Sequence, residues 1–161
     1  MEKTKNQNTD PLQENLETEM PKPSEFYNVL LLGNVGIGKT TLLLNYIDEK
    51  VHYQTKPTLG TDFKVKSVEH QGENVSLKIY DTAGLERYSS MISTEIKRAN
   101  TVIVCYAIND RASFENLPVW FEKIRDHDSG IRIILVGNKL DLASDSRRVT
   151  YQEGKEFSEK F

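Results

Sequence analysis

Gly33-Asn34-Val35-Gly36-Ile37-Gly38-Lys39-Thr40 follows the apolar run Val29 to Leu32 and precedes a stretch in which Leu42, Leu43, Tyr46 and Ile47 share one helical face. The octet satisfies G-x-x-x-x-G-K-[ST] at every fixed position, between a strand and a helix, as the motif requires. A triphosphate carries several negative charges packed closely together. Glycines let the backbone wrap such a group so that amide hydrogens point inward. The start of the following helix adds a positive dipole end. Lys39 would reach the β- and γ-phosphates and Thr40 would place a hydroxyl on Mg²⁺. The expected nucleotide contacts here are Gly33, Val35, Gly36, Ile37, Gly38, Lys39, Thr40 and Thr41. A chance glycine-rich turn would match in on the order of half a per cent of chains this long. The motif alone does not separate ATP from GTP.

Outward from this loop, strands and helices alternate. Val29 to Leu32 is continuously apolar, as in a strand covered on both faces. Phe63 and Val65 alternate with lysines, and Val75, Leu77 and Ile79 alternate with polar residues, on either side of a turn at Gln71-Gly72-Glu73-Asn74. Two further buried strands are expected at Val102 to Ile108 and Ile131 to Val136. Between them Phe114, Leu117, Phe121 and Ile124 recur at helical spacing, with Trp120 as a packing residue. Pro118 predicts a kink, with Asn116 as a restart cap. Thr150 and Glu153 form a capping box for a last helix. The order implies an α/β fold, a mostly parallel sheet with helices on both faces and one antiparallel hairpin.

The chain of 161 residues suits one domain. Residues 1–24 read as a disordered polar tail, with Leu12 and Leu16 almost their only large aliphatics, and the folded unit begins at residue 25. A net charge of −3 gives no reason to expect nucleic-acid binding. No apolar run is long enough to cross a bilayer, and the amino end has no signal-peptide core. Cys105, the only cysteine, lies inside an apolar run, which favours a buried core residue over a reactive thiol and fits a reducing, cytoplasmic compartment. His70 and His127 read as solvated loop residues, with no cluster suited to zinc.

Asn138-Lys139-Leu140-Asp141 follows a buried strand and Gly137, roughly a hundred residues after the phosphate loop. With this N-K-x-D motif the chain resembles the Ras-like small GTPases. Pro57-Thr58-Leu59-Gly60-Thr61-Asp62-Phe63, Asp81-Thr82-Ala83-Gly84-Leu85-Glu86-Arg87-Tyr88 and Tyr106-Ala107-Ile108-Asn109-Asp110 resemble the Rab branch more than Ras, Rho or Arf proteins. The resemblance runs from about Phe26 to Phe161. It implies a P-loop NTPase G domain of three α/β/α layers, which binds GTP or GDP with Mg²⁺. By the same resemblance Asp141 accepts from guanine N1–H and N2–H₂, a pair adenine lacks. Asn138 holds a guanine edge and neighbouring loops, and the Lys139 stem lies over the base. Thr58 coordinates Mg²⁺ and contacts the γ-phosphate, Asp81 anchors Mg²⁺ through a water, and the Gly84 amide binds the γ-phosphate. Loss of that phosphate would relax both loops, and effectors and exchange factors would read residues near 55–63 and 84–95.

The sequence departs from the family in several places. Leu85 stands at the catalytic position where relatives have the glutamine that orients the attacking water, and leucine has no donor or acceptor. That role is the one known from Ras itself, so it comes to this position with the resemblance. Val35 adds bulk where relatives are often small. Val51 replaces an aromatic that packs on the guanine in many relatives, with His52 and Tyr53 out of register, which implies weaker affinity or faster exchange. Relatives continue past Phe161 with a strand, a serine-alanine-lysine loop and a helix, and with prenylation cysteines. The expectation is therefore a domain lacking its last strand and helix, with no membrane anchor of its own and peripheral to membranes only in a longer, lipidated form. The leading reading is a Rab-like switch for vesicle trafficking with impaired hydrolysis. A non-hydrolysing GTP-bound adaptor and a truncated fragment that binds nucleotide poorly stand beside it.

Overall fold

Five strands form one sheet in the order β2-β3-β1-β4-β5. They are β1 Phe26–Leu32, β2 Thr61–His70, β3 Glu73–Thr82, β4 Thr101–Ala107 and β5 Arg132–Asn138. The structure is a computed structural model that describes residues 26–52, 56–58, 60–83, 89–127 and 130–160. β1 runs parallel to β3 and β4, β4 runs parallel to β5, and β2 pairs antiparallel with β3. The helices are α1 Lys39–Asp48, α2 Ser89–Arg98, α3 Arg111–Glu115, α4 Leu117–Arg125, α5 Ala143–Ser146 and α6 Tyr151–Ser158, with a 3-10 turn at Leu140–Leu142.

The central strand shows why the sequence builds layers. Leu30 and Leu32 of β1 enter a core with Ile92 and Ile96 of α2 and Trp120, Phe121 and Ile124 of α4. Val29 and Leu31 point the other way, onto Leu43 of α1 and Ile79 of β3. A strand with helices on both faces is apolar at successive positions because each face buries its own side chains. Full burial of each such side chain contributes about 1.5–3 kcal/mol. Cys105 is 1% exposed, as expected, and burial pushes its thiol up to about 12.

Local signals hold in detail. The hairpin turn contracts to Gln71 and Gly72, with φ of 53° and 82°. Positive φ at both central residues matches the twist of the flanking strands. The helical stretch breaks at Asn116, and Pro118 lies in the first turn of α4, where a missing N–H leaves no bond unmade. Asn116 occupies the cap position but makes no side-chain cap bond. The capping box of α6 is complete: the Glu153 amide donates to Thr150 Oγ1 at 3.2 Å, and the Thr150 amide donates to Glu153 Oε2 at 2.9 Å.

Arg111 also pairs with Glu153. This guanidinium, then the Thr150 amide and hydroxyl, hold the carboxyl down at about 2, against an ordinary 4.5. A depressed carboxylate stabilises the fold above its unfolded value, and the benefit is lost as pH falls through the folded value. Glu153→Gln is therefore expected to lower the melting temperature slightly at pH 7, since the pair is exposed and screened by solvent. The gap to the wild type should close as pH falls from about 4.5 towards 2, checked by thermal melts across that range. A gap independent of pH would refute the charge-based account.

Three expectations change. β5 was expected to be buried, but Ile134 is 50% exposed. β4 is its only hydrogen-bonded neighbour among the described strands, and α1 packs over β1 and β3 instead. Tyr46 shares the apolar side of α1 yet is exposed, with the Lys66 ammonium 4.5 Å above its ring. Phe63 and Val65 lie opposite Tyr80 and Lys78, and so on the other face from Leu77 and Ile79. Both are exposed. The tail over 1–24, together with Tyr53, Leu59, Gly84, Leu85 and Phe161, lies outside the described residues.

Candidate functional site

The phosphate-loop residues leave β1 at Gly33 and enter α1 at Lys39. Gly33 has φ +133°, and a Cβ there would stand 2.2 Å from the Cys105 carbonyl oxygen. Backbone angle and close approach both demand glycine. Gly38 has φ +93° and caps α1 without a side-chain bond, so the loop enters the helix through a left-handed glycine. Lys39 is only 5% exposed. Its ammonium donates to the Gly33 and Asn34 carbonyls, each at 2.8 Å, so the buried charge is solvated by the loop itself.

Ile37, expected among the contacts, turns its side chain into the core against Cys105 and Ala107. Only its backbone is placed to take part, and its carbonyl accepts from Asn138 Nδ2 at 2.8 Å. Asn138 Nδ2 also lies 3.4 Å from the Gly38 carbonyl, so one amide straps the loop to the end of β5.

A cluster of oxygens stands beside the loop. Thr40 Oγ1 donates to Asp81 Oδ2 at 2.5 Å and lies 2.8 Å from Thr58 Oγ1, which donates to the same carboxylate oxygen at 3.2 Å. Thr40 opens α1, Asp81 lies near the end of β3 beside Leu31 of β1, and Thr58 precedes β2. Asp81 is 3% exposed, and its Oδ1 has no hydrogen-bond partner among the described residues. An orphaned buried carboxylate oxygen beside two hydroxyls is a hard, oxygen-only donor set that fits Mg²⁺, a cation that keeps several waters and shares phosphate oxygens. No group of three or more His, Cys, Asp or Glu suited to a metal occurs among the described residues.

Most of these residues line one open cleft of about 1040 Å³, whereas Asp81 and Gly33, the latter expected among the nucleotide contacts, do not line it themselves. Val35, Gly36, Gly38, Lys39, Thr40 and Thr41 meet Thr58 there, and Asn138, Lys139 and Asp141 close the far side. Lys139 is held at φ 66°, and Asp141 sits in the 3-10 turn. The cleft lies at the carboxyl ends of the parallel strands, where open α/β sheets place their ligands. Val51 lines it as an exposed side chain.

Sequence reading missed several residues of this region. Asn45, Lys56 and Leu142 line the cleft but belong to no motif. Thr82 Oγ1 donates to the Leu31 carbonyl at 2.9 Å and pins β3 to β1, and the Ala83 amide donates to Gly60 at 3.0 Å, joining the segments before β2 and after β3. Asn34 stood in a variable position of the phosphate motif, so only its partners distinguish it.

Comparison with known proteins agrees. The Ras family model matches residues 28–161. The chain is 38% identical over 142 residues to Ras-related protein Rab-12 of Homo sapiens, covering 87% of this chain and 58% of that protein. It is 40% identical over 142 residues to GTP-binding protein yptV2 of Volvox carteri, covering 88% and 65%. It is 39% identical over 137 residues to Ras-related protein RabC of Dictyostelium discoideum, covering 83% and 69%. The chain thus spans somewhat over half the length of the Rab-12 relative it matches. With the strand order, the phosphate loop and the N-K-x-D turn in place, the chain belongs to the Ras family and is Rab-like within it.

Proposed function

We propose that this chain is a Rab-like molecular switch that binds GTP or GDP with Mg²⁺, acts in vesicle trafficking, and hydrolyses GTP slowly. The observation that carries this reading is the meeting of Lys39, the Thr40–Thr58–Asp81 oxygens and the Asn138–Asp141 turn around one cleft. In this reading residues 25–161 are the G domain and 1–24 a polar tail. Backbone amides of the loop and Lys39 hold the phosphates, while Thr40, Thr58 and Asp81 hold Mg²⁺, which when bound supplies neutralisation of phosphate charge. Asp141 selects guanine, Lys139 covers the base, and Asn138 keeps the two motifs in register. Thr58 and the Gly84 amide act as tethers to the γ-phosphate, so its loss frees the segments near 55–63 and 84–95 that effectors and exchange factors read. No helix among the described residues is long and apolar enough to cross a membrane. The site of action in this reading is cytoplasmic and peripheral to membranes.

Calorimetry with GDP, a slowly hydrolysed GTP analogue and ATP in Mg²⁺ tests the binding claim. The guanine nucleotides are expected to bind at least about 100-fold more tightly than ATP. Equal affinity for ATP, or no uptake of guanine nucleotide, would sink it.

Slow hydrolysis rests on Leu85, which has no group to orient water. Val35, an exposed side chain on the cleft, adds bulk nearby. Leu85→Gln is expected to raise single-turnover hydrolysis by at least about tenfold. Equal rates would remove this part of the proposal. A non-hydrolysing adaptor is the second reading that Leu85 favours. The wild-type trace separates the two: γ-phosphate released over hours marks a slow enzyme, and none marks an adaptor.

A further inference from the structure

We propose that Asn34, held by Trp120 and Asn116, is a positioning residue that governs how long nucleotide stays in the cleft. This inference rests on the nucleotide-binding reading above. Asn34 fills a variable position of the phosphate motif and does not line the cleft. Its side chain instead reaches α4. Trp120 Nε1 donates to Asn34 Oδ1 at 2.9 Å, and Asn116 Nδ2 donates to the same oxygen at 2.7 Å. Trp120 is fully buried in the core with Leu117, Phe121 and Ile124. The Asn34 carbonyl accepts the Lys39 ammonium at 2.8 Å.

One residue therefore joins two systems. Its side chain is tied to a rigid, buried indole, and its backbone orients the cation that faces the phosphates. The break between α3 and α4 gains a purpose here, because it turns the Asn116 amide towards the loop instead of capping α4. The loop is then fixed at three places: Gly33 against Cys105, Asn34 against α4, and Ile37–Gly38 under Asn138. Removal of the Asn34 oxygen would leave an indole N–H buried without an acceptor and release the carbonyl that steers Lys39. A preorganised loop holds its ligand longer because less ordering is needed on binding.

The test is release of a fluorescent GDP analogue from the full chain in Mg²⁺. Asn34→Ala is expected to speed release about tenfold. Asn34→Asp, whose carboxylate accepts from the same two donors, should stay within about twofold of the wild type. Trp120→Phe combined with Asn34→Ala should be no faster than Asn34→Ala alone, since Asn34→Ala already removes the bond that Trp120→Phe cuts. Asn116→Ala, which leaves the core intact, should speed release about threefold and serves if the Trp120 variant does not fold. Trp120 is the only tryptophan, so its emission reports on the bond directly. Asn34→Ala should shift it to the blue and Asn34→Asp should not. If the wild type holds GDP but Asn34→Ala releases it at the wild-type rate, or Asn34→Asp is as fast as Asn34→Ala, this inference falls and the nucleotide reading stands. If the wild type takes up no guanine nucleotide, both fall.

Discussion

Lys39→Ala is expected to weaken GDP and GTP binding by at least about 100-fold while leaving the melting temperature within a few degrees of the wild type. The ammonium is nearly buried and oriented by two loop carbonyls, so it needs no reorganisation to meet a phosphate. Charge-assisted bonds contribute about 1.5–3 kcal/mol each, and Lys39 would make one to the β-phosphate of either nucleotide and a second to the γ-phosphate of GTP. About 3 kcal/mol after desolvation corresponds to roughly two orders of magnitude in affinity. Stability should change little, because alanine is the better helix former at the start of α1. Lys39→Met keeps the apolar stem and isolates the charge. Calorimetry on both variants is the check, and binding within tenfold of the wild type would overturn the phosphate role of this loop.

Asp141→Ala should act on a different axis, by collapsing the preference for GTP over ATP by about 10²–10⁴-fold. Asp141 lines the cleft from the 3-10 turn after β5, across from the phosphate loop. Two donors on guanine meet its carboxylate in the proposed arrangement, whereas ATP would leave that carboxylate desolvated and unpaired. Truncation removes the gain for guanine and the penalty for adenine together. GTP affinity should fall steeply while ATP affinity stays level or rises. Lys39→Ala, in contrast, should weaken both nucleotides alike. Competition of each nucleotide against a fluorescent GDP analogue separates the cases, and an unchanged GTP-to-ATP ratio in Asp141→Ala would contradict the base-reading role.

Much of the molecule is readable from its residues alone because its signals are local. Gly33 to Thr40 carry the loop in eight adjacent residues. Gln71-Gly72 specifies its turn by backbone angle, Pro118 breaks a helix through its ring, and Thr150 with Glu153 caps α6 across one helical turn. Alternation and continuity of apolar residues place the strands. Errors appear where a side chain's surroundings depend on a distant element. Ile134 is apolar and lies in a strand, yet no pattern along β5 states which helix covers it. Phe63 alternates correctly, and only its pairing with Tyr80 decides which face it takes.

The amino-acid order alone determined the element sequence and the phosphate loop, because short-range sterics, capping and turn chemistry act within a few neighbouring residues, and its motifs carried the resemblance to the family. The resemblance had already grouped Thr40, Thr58 and Asp81, but tertiary structure alone gave the two hydroxyls a single carboxylate oxygen to share, and it alone decided that Asn34 reaches Trp120 across 86 residues. Such meetings follow from strand order and helix packing, in which burial of apolar faces brings remote polar groups within bonding distance and leaves no trace in local spacing.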